Sequence, residues 1–243
     1  MGEAKNRQKT GKPSALSRRR RRHRFISASL FGVVLIGIIG SVYWLSNPAL
    51  SGPPSLPTGE DLSPFPEERD RVGVSIGNAD APVVVREFAD FQCPACADFA
   101  RHHDRLMNEY VETGKVRFVF FDMPLRKHRN AEPAAKAARC AEDQDAWRPM
   151  HDRLFAEQDD WSDASDPESI FTEYAGALGL DKRKFQRCMG LNRIEKKLTE
   201  SRNLARDLRV TSTPTVLVDN IPLTRNSWAQ LQAVLERELD EAQ

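Results

Sequence analysis

The sequence predicts an α/β domain into which an all-helical block has been inserted. Three observations carry this expectation. The apolar run Pro82 to Phe88 leads through a helical stretch into a second apolar run, Val116 to Phe121. From about Asn130 to Leu208 the apolar residues recur only at helical spacing. Strand character then returns at Thr215 to Val218, and Trp228 to Leu239 closes the pattern as an amphipathic helix.

Taken in order, Val72 to Ile76 reads as a short strand and Gly77-Asn78-Ala79-Asp80 as the turn after it. Pro82 to Phe88 is apolar apart from one internal charge pair, as expected of a strand buried on both faces. A helix is expected from the cysteines at 93 and 96 to about Glu112, stopped by Thr113-Gly114. Strand, helix and strand in succession make a βαβ unit, which implies parallel strands and a right-handed crossover. In the helical block, Trp147, Met150, His151 and Leu154 fall on one face. Asp166-Pro167 reads as N-cap and first helical position, with Gly179 as the stop. Asp181 caps a short helix ending at Gly190, and a longer one runs from about Asn192 to Leu208. No internal repeat is visible.

The N-terminal region has a different composition. The first 24 residues hold ten Lys or Arg and one acid, Glu3. The next 22, from Phe25 to Ser46, carry no charge and are long enough as a helix to cross a bilayer. This predicts a basic cytoplasmic tail over 1–24, a transmembrane anchor over 25–46 and an extracytoplasmic remainder. A cleaved signal peptide is the competing reading, with Ala49-Leu50-Ser51 as a poor cleavage site. Six prolines between Asn47 and Pro66 make the stretch 47–71 a stiff linker to a domain spanning 72–243. Beyond residue 24, 26 bases face 34 acids, a charge of −8 that argues against nucleic acid as a partner.

The chemistry sits in Cys93-Pro94-Ala95-Cys96, where the first long strand gives way to a helix. Two sulfurs at this spacing can bond across one helical turn, and a helix N-terminus favours a thiolate at Cys93. A second structural disulfide is the plainer reading. Zinc would need four ligands, and the sequence has no second C-x-x-C. Cys140 and Cys188 both lie in the helical block. In an oxidising compartment they are expected to pair with each other, the alternative being two separate buried thiols. His102 and His103, about two turns beyond Cys96, read as surface or helix-packing residues.

The segment Pro82 to Cys96 resembles the active-site region of the DsbA-like thiol:disulfide oxidoreductases, proteins of thioredoxin fold with a helical insertion. The likeness continues through Pro133 to Cys140, Trp147 to Phe155 and Val210 to Thr215, and covers roughly residues 72–240. It looks most like the membrane-anchored bacterial members. The resemblance implies a helical insertion over about 126–208 in a thioredoxin-like domain. It makes Cys93 the exposed attacking cysteine and Cys96 its buried resolving partner. It also makes Thr213-Pro214 a cis-proline loop that pairs with substrate, although Pro214 by itself also reads as a simple strand-start proline. Pro94 and Ala95 lie between the cysteines and would tune the redox pair. Glu87 shares a strand face with Val83 and Val85 and matches the family's buried acid, thought to help deprotonate the resolving cysteine; the plainer reading is a surface charge at a strand end. Asp219 to Arg225 departs from the family's glycine-bearing hairpin, and Pro222 implies a short or irregular edge strand.

These readings converge on a membrane-anchored disulfide oxidase acting on reduced exported proteins. It would be monomeric, use no cofactor or metal, and be re-oxidised by a membrane partner. The alternatives are a reductase or isomerase of the same fold, and a non-catalytic binding or copper-handling module.

Overall fold

Period-two alternation along the two long strands sets the frame of the structure. The computed structural model describes residues 64–242. The predicted tail, anchor and most of the linker lie outside these residues, and among the described ones no helix is long and apolar enough to cross a membrane. The strands are β1 (Val74–Ile76), β2 (Val83–Ala89), β3 (Val116–Asp122), β4 (Thr215–Val218) and β5 (Ile221–Pro222). They form one sheet in the order β1-β3-β2-β4-β5. The pair β2 and β3 is parallel, as the βαβ reading requires, and the other pairings are antiparallel.

One face of β2 and β3 presents Val83, Val85, Ala89, Val116, Phe118 and Phe120 to the main core. The other presents Phe88, Val119 and Phe121 to a smaller cluster that includes Phe65, Val72 and Leu204. Phe65 and Asp70 are buried, so the folded unit includes residues N-terminal to 72, the expected domain start. Residues Glu67–Val72 form a 3₁₀ helix, which shortens the expected first strand to Val74–Ile76. Arg86 explains this docking: its guanidinium holds Asp70 through two hydrogen bonds of 2.7 and 2.8 Å and lies 4.2 Å from the Phe65 ring centroid. A buried charge needs such a partner, which the sequence alone did not identify for Arg86. At the opposite edge β5 has only two residues, since Pro222 has no N–H to extend the ladder.

The helix after the cysteines is broken into α1 (Pro94–Ala100), α2 (His103–Leu106) and a π-turn over Met107–Val111. It was expected to be continuous. His102 N–H bonds to the Phe99 carbonyl and Glu112 N–H to the Met107 carbonyl, so the turn tightens at one point and widens at the next. The inward face nevertheless persists through Cys96, Phe99, His103 and Leu106.

Between β3 and β4 lie α3 (Ala131–Glu142), α4 (Trp147–Ala156), α5 (Gln158–Trp161), α6 (Pro167–Ala177), α7 (Lys182–Met189) and α8 (Asn192–Asp207); α9 (Trp228–Glu241) ends the fold. The buried alanines of α3 let neighbouring helices approach closely, and α4, α6, α7 and α8 all pack on it. Asp166 and Asp181 cap α6 and α7 by accepting the N–H of Ser169 and Lys184. A disulfide joins Cys140 of α3 to Cys188 of α7, with Cα atoms 5.7 Å apart. Arg139, also on α3, reaches the sheet by bonding Asp122 at 2.6 Å and the Val72 carbonyl at 3.0 Å.

Candidate active site

Strand β2 ends at Ala89, and a three-residue turn carries the chain into α1. Within it the Asp90 carboxylate accepts the Gln92 N–H at 2.7 Å, a local turn device of short acidic side chains. The other carboxylate oxygen takes the Leu125 N–H at 2.9 Å and lies 2.7 Å from His128 Nδ1, fixing the turn to the loop after β3. Cys93 is the N-cap of α1 with extended backbone, and Pro94 occupies the first turn. The Cys93 carbonyl accepts the N–H groups of Cys96 and Ala97.

The two cysteines, both free thiols here, have unequal surroundings. Cys96 has no solvent exposure and Cys93 has 7%. Cys93 is thus less open than the expected attacking thiol, because the Thr213-Pro214 loop lies over it. Its sulfur is 3.5 Å from the Thr213 carbonyl oxygen, and the Thr213–Pro214 peptide bond is cis. Pro94 and Ala95 are exposed beside it.

This asymmetry is also electrostatic. The Cys93 thiol is lowered from 9.0 to about 5. The Cys96 thiol is the largest cause, outweighing partial burial, and the Thr213 hydroxyl and the N–H groups of Cys96 and Ala95 add to it. Cys96 is pushed strongly upward by burial, by its hydrogen bond to Cys93 and by the charge of Glu87. At neutral pH Cys93 is therefore a thiolate and Cys96 a thiol. Iodoacetamide should alkylate Cys93 alone, with a rate that rises through a midpoint near pH 5. The sign of the linked stability follows. The depressed Cys93 pKa stabilises the folded, reduced protein, a gain complete by pH 9.0 and lost as pH falls through about 5, while above 9.0 the raised Cys96 thiol works in the opposite direction. Denaturant titrations of the reduced and oxidised forms at several pH values check this, and a Cys93 midpoint near 9.0 would refute it.

Glu87 projects from β2 into the main core with no exposure, so it is not a surface charge. Its Oε2 lies 2.7 Å from His103 Nε2. Among the described residues no cluster of His, Cys, Asp and Glu could hold a metal ion.

Several residues that organise the site were not singled out in the sequence. Gln158 donates to the carbonyls of Phe91 at 2.6 Å and Cys93 at 3.2 Å. Gln92 donates to the Ser162 carbonyl and accepts the Asn130 N–H. The Asn130 side-chain amide in turn donates to the carbonyls of Trp161, Ser162 and Ala164. Three amides thereby tie the redox turn to the helical block. Of them only Gln92, two residues past Asp90 in an acid-capped turn, had a local signal.

Comparison with known proteins agrees with this geometry. The family model described as thioredoxin matches residues 69–237. The probable disulfide bond formation protein D of Bacillus anthracis is 31% identical over 175 residues, covering 68% of this chain and 77% of that one. The chain belongs to the DsbA-like thiol:disulfide oxidoreductase family.

Among solved structures, this DsbA-like chain is similar to oxidised BdbD of Bacillus subtilis, with a TM-score of 0.64 at 20% identity, covering 76% of this chain and all of that one. It is also similar to alpha-DsbA1 of Wolbachia pipientis, with a TM-score of 0.63 at 22% identity, covering 76% and 96% of the two chains. At these identities the likeness is one of fold. A further relative is the Na(+)/H(+) antiporter NhaA 3 of Salinispora tropica, 34% identical over 159 residues. The match takes in 65% of this chain but spans only 23% of the antiporter's length.

Proposed function

We propose that this chain is a membrane-anchored, extracytoplasmic disulfide oxidase of exported proteins, working through Cys93 and Cys96. The observation that carries the reading is the asymmetry of the pair, a stabilised Cys93 thiolate beside a buried, protonated Cys96. A substrate thiolate attacks the Cys93 sulfur of the oxidised pair, breaking the Cys93–Cys96 bond and releasing Cys96, which takes up a proton. A second substrate thiolate then attacks the substrate sulfur of the mixed disulfide, and Cys93 leaves as a thiolate. The substrate loses two electrons and the cysteine pair gains them. A stable leaving thiolate drives this direction. Thr213 and Pro214 border the attacked sulfur, where an extended substrate segment would lie.

A membrane partner that accepts two electrons would restore the disulfide. Support for the compartment comes from the Cys140–Cys188 bridge, since structural disulfides persist where the surroundings are oxidising. The uncharged stretch 25–46 and the basic tail 1–24 support an anchored, outward-facing domain.

Equilibration with glutathione buffers tests the direction. The midpoint is expected at about −180 mV or higher, whereas a value near about −270 mV, that of thioredoxin, would make the chain a reductase. Labelling of reduced Cys93 in intact cells by a membrane-impermeant maleimide tests the topology. Labelling only after lysis would overturn it.

A further inference from the structure

A row of titratable side chains runs to the surface from Glu87, whose charge acts on the buried Cys96, and the disulfide exchange described above leaves most of it unused. Glu87 of β2 meets His103 of α2 at 2.7 Å. The His103 ring stacks on that of His151 of α4, with centroids 4.9 Å apart and planes 26° from parallel. His151 Nδ1 lies 2.8 Å from Asp152 Oδ1. The Asp152 side chain is 42% exposed and lines a cavity of about 310 Å³ beside Ala97, Ala100 and Arg101 of the redox helix.

Both histidines are at least 97% buried, and His103 Nδ1 and His151 Nε2 have no hydrogen-bond partner. Around them stand Phe91, Phe99, Phe118, Phe120, Trp147 and Phe155. Phenylalanine at 151 would pack in such a cluster, since its partner Asp152 is half-exposed and also meets Arg148. At 103 it would strip the fully buried Glu87 of a hydrogen bond, so Glu87 explains one imidazole, but packing by itself gives no reason for the second at 151.

We propose that His103 and His151 relay the Cys96 proton between Glu87 and Asp152 at the surface. The proposal rests on the redox reading above. During re-oxidation Cys93 is held in a mixed disulfide with the partner. The Cys96 thiol gives its proton to Glu87 at Oε1, its sulfur bonds to Cys93, and the partner sulfur leaves with the electron pair of the broken bond. The proton already held between Glu87 Oε2 and His103 Nε2 moves onto Nε2 while His103 Nδ1 gives one up to His151. The unpaired nitrogens belong to neighbouring stacked rings, and the transfer requires one ring to turn until they meet. His151 then releases a proton from Nδ1 to Asp152 and so to water. In the opposite direction the relay supplies the proton that Cys96 takes up.

The groups facing the relay set its resting charge. His103 meets Glu87 from β2 and His151 from α4, while β3 offers only the uncharged Phe118. His102 and Asp104 adjoin it on its own segment. Burial lowers His151, which Asp152 and Glu87 partly offset, leaving it neutral and able to accept a proton. Burial pushes Asp152 up, but His151 and Arg148 outweigh it and keep the carboxylate ionised.

The test is the reaction of the reduced full chain with Ellman's reagent. The first thionitrobenzoate released reports attack by Cys93, and the second reports closure by Cys96. In H151F and D152N the first phase is expected to keep its wild-type rate. The second should slow by about tenfold or more near neutral pH and recover as hydroxide takes the proton directly. D152N changes only a surface side chain, so it decides the matter if H151F fails to fold. Second phases within about twofold of wild type in D152N over about pH 5 to 9 overturn the relay. A wild-type chain with no second phase would instead overturn the redox reading itself.

Discussion

Replacing Cys96 with serine abolishes turnover and leaves Cys93 covalently joined to its last thiol partner. Cys93 keeps what makes it reactive in this variant: the N–H groups of residues 95 and 96, the Thr213 hydroxyl and the start of α1. What disappears is the only sulfur placed to displace the partner. Serine retains an acceptor for the Asp90 N–H, which lies 3.5 Å from the Cys96 sulfur, so the fold should hold. Loss of the Cys96 thiol also removes the largest stabiliser of the Cys93 thiolate, so the alkylation midpoint should move above about 5. Non-reducing electrophoresis and mass spectrometry should show adducts on Cys93 in cells, with disulfide formation in a reduced test protein at the uncatalysed rate. Cys93→Ser should be equally inactive but form no adducts, because Cys96 is sealed from solvent. Retained activity in C96S would favour a non-catalytic binding module.

Removing the second disulfide should cost stability more than activity. In the double variant C140A/C188A the unfolded chain regains the freedom of a segment 48 residues long. The chain-entropy argument puts this at about 4 kcal/mol. For a domain of this size that corresponds to a fall in Tm of roughly 8–16 °C. Total stabilities of about 5–15 kcal/mol make this a large fraction. The bridge pins α7 to α3, the helix on which the other long helices of the block pack and from which Arg139 reaches Asp122. Catalysis at Cys93 and Cys96 should survive at temperatures where the variant is folded. A melting point within about 2 °C of the oxidised wild type would show that packing alone holds the block.

Both expectations rest on features read from the chain itself, but not all of the site could be read that way. The strands β2, β3 and β4 were legible because an apolar run of four to eight residues has few other uses. The caps at Asp166 and Asp181 were legible because they act on an N–H three residues away. Glu87 could be placed on the core face by strand alternation alone. His103 reads from the sequence as a surface or helix-packing residue and does pack on the inward face; its bond to Glu87 was not legible because its distance from Cys96 was counted and its phase was not. It lies four residues after Phe99 and seven after Cys96, on the same inward face, and that spacing held the signal. The break at residues 101 and 102 had no such signal, since no proline or glycine marks it.

The sequence by itself determined the chemistry: a C-x-x-C at a strand-to-helix junction, a second cysteine pair in a helical block, and the order of the strands that carry them. These are local features, governed by spacing, charge and backbone propensity over a few residues. Only the tertiary structure decided what surrounds them. It placed Gln158 on the Cys93 carbonyl, the Thr213 carbonyl 3.5 Å from the Cys93 sulfur, and His151 against His103. Each of those contacts joins residues between 48 and 120 positions apart. Burial of side chains against one another creates them, and it follows the packing of whole faces, which local sequence does not record.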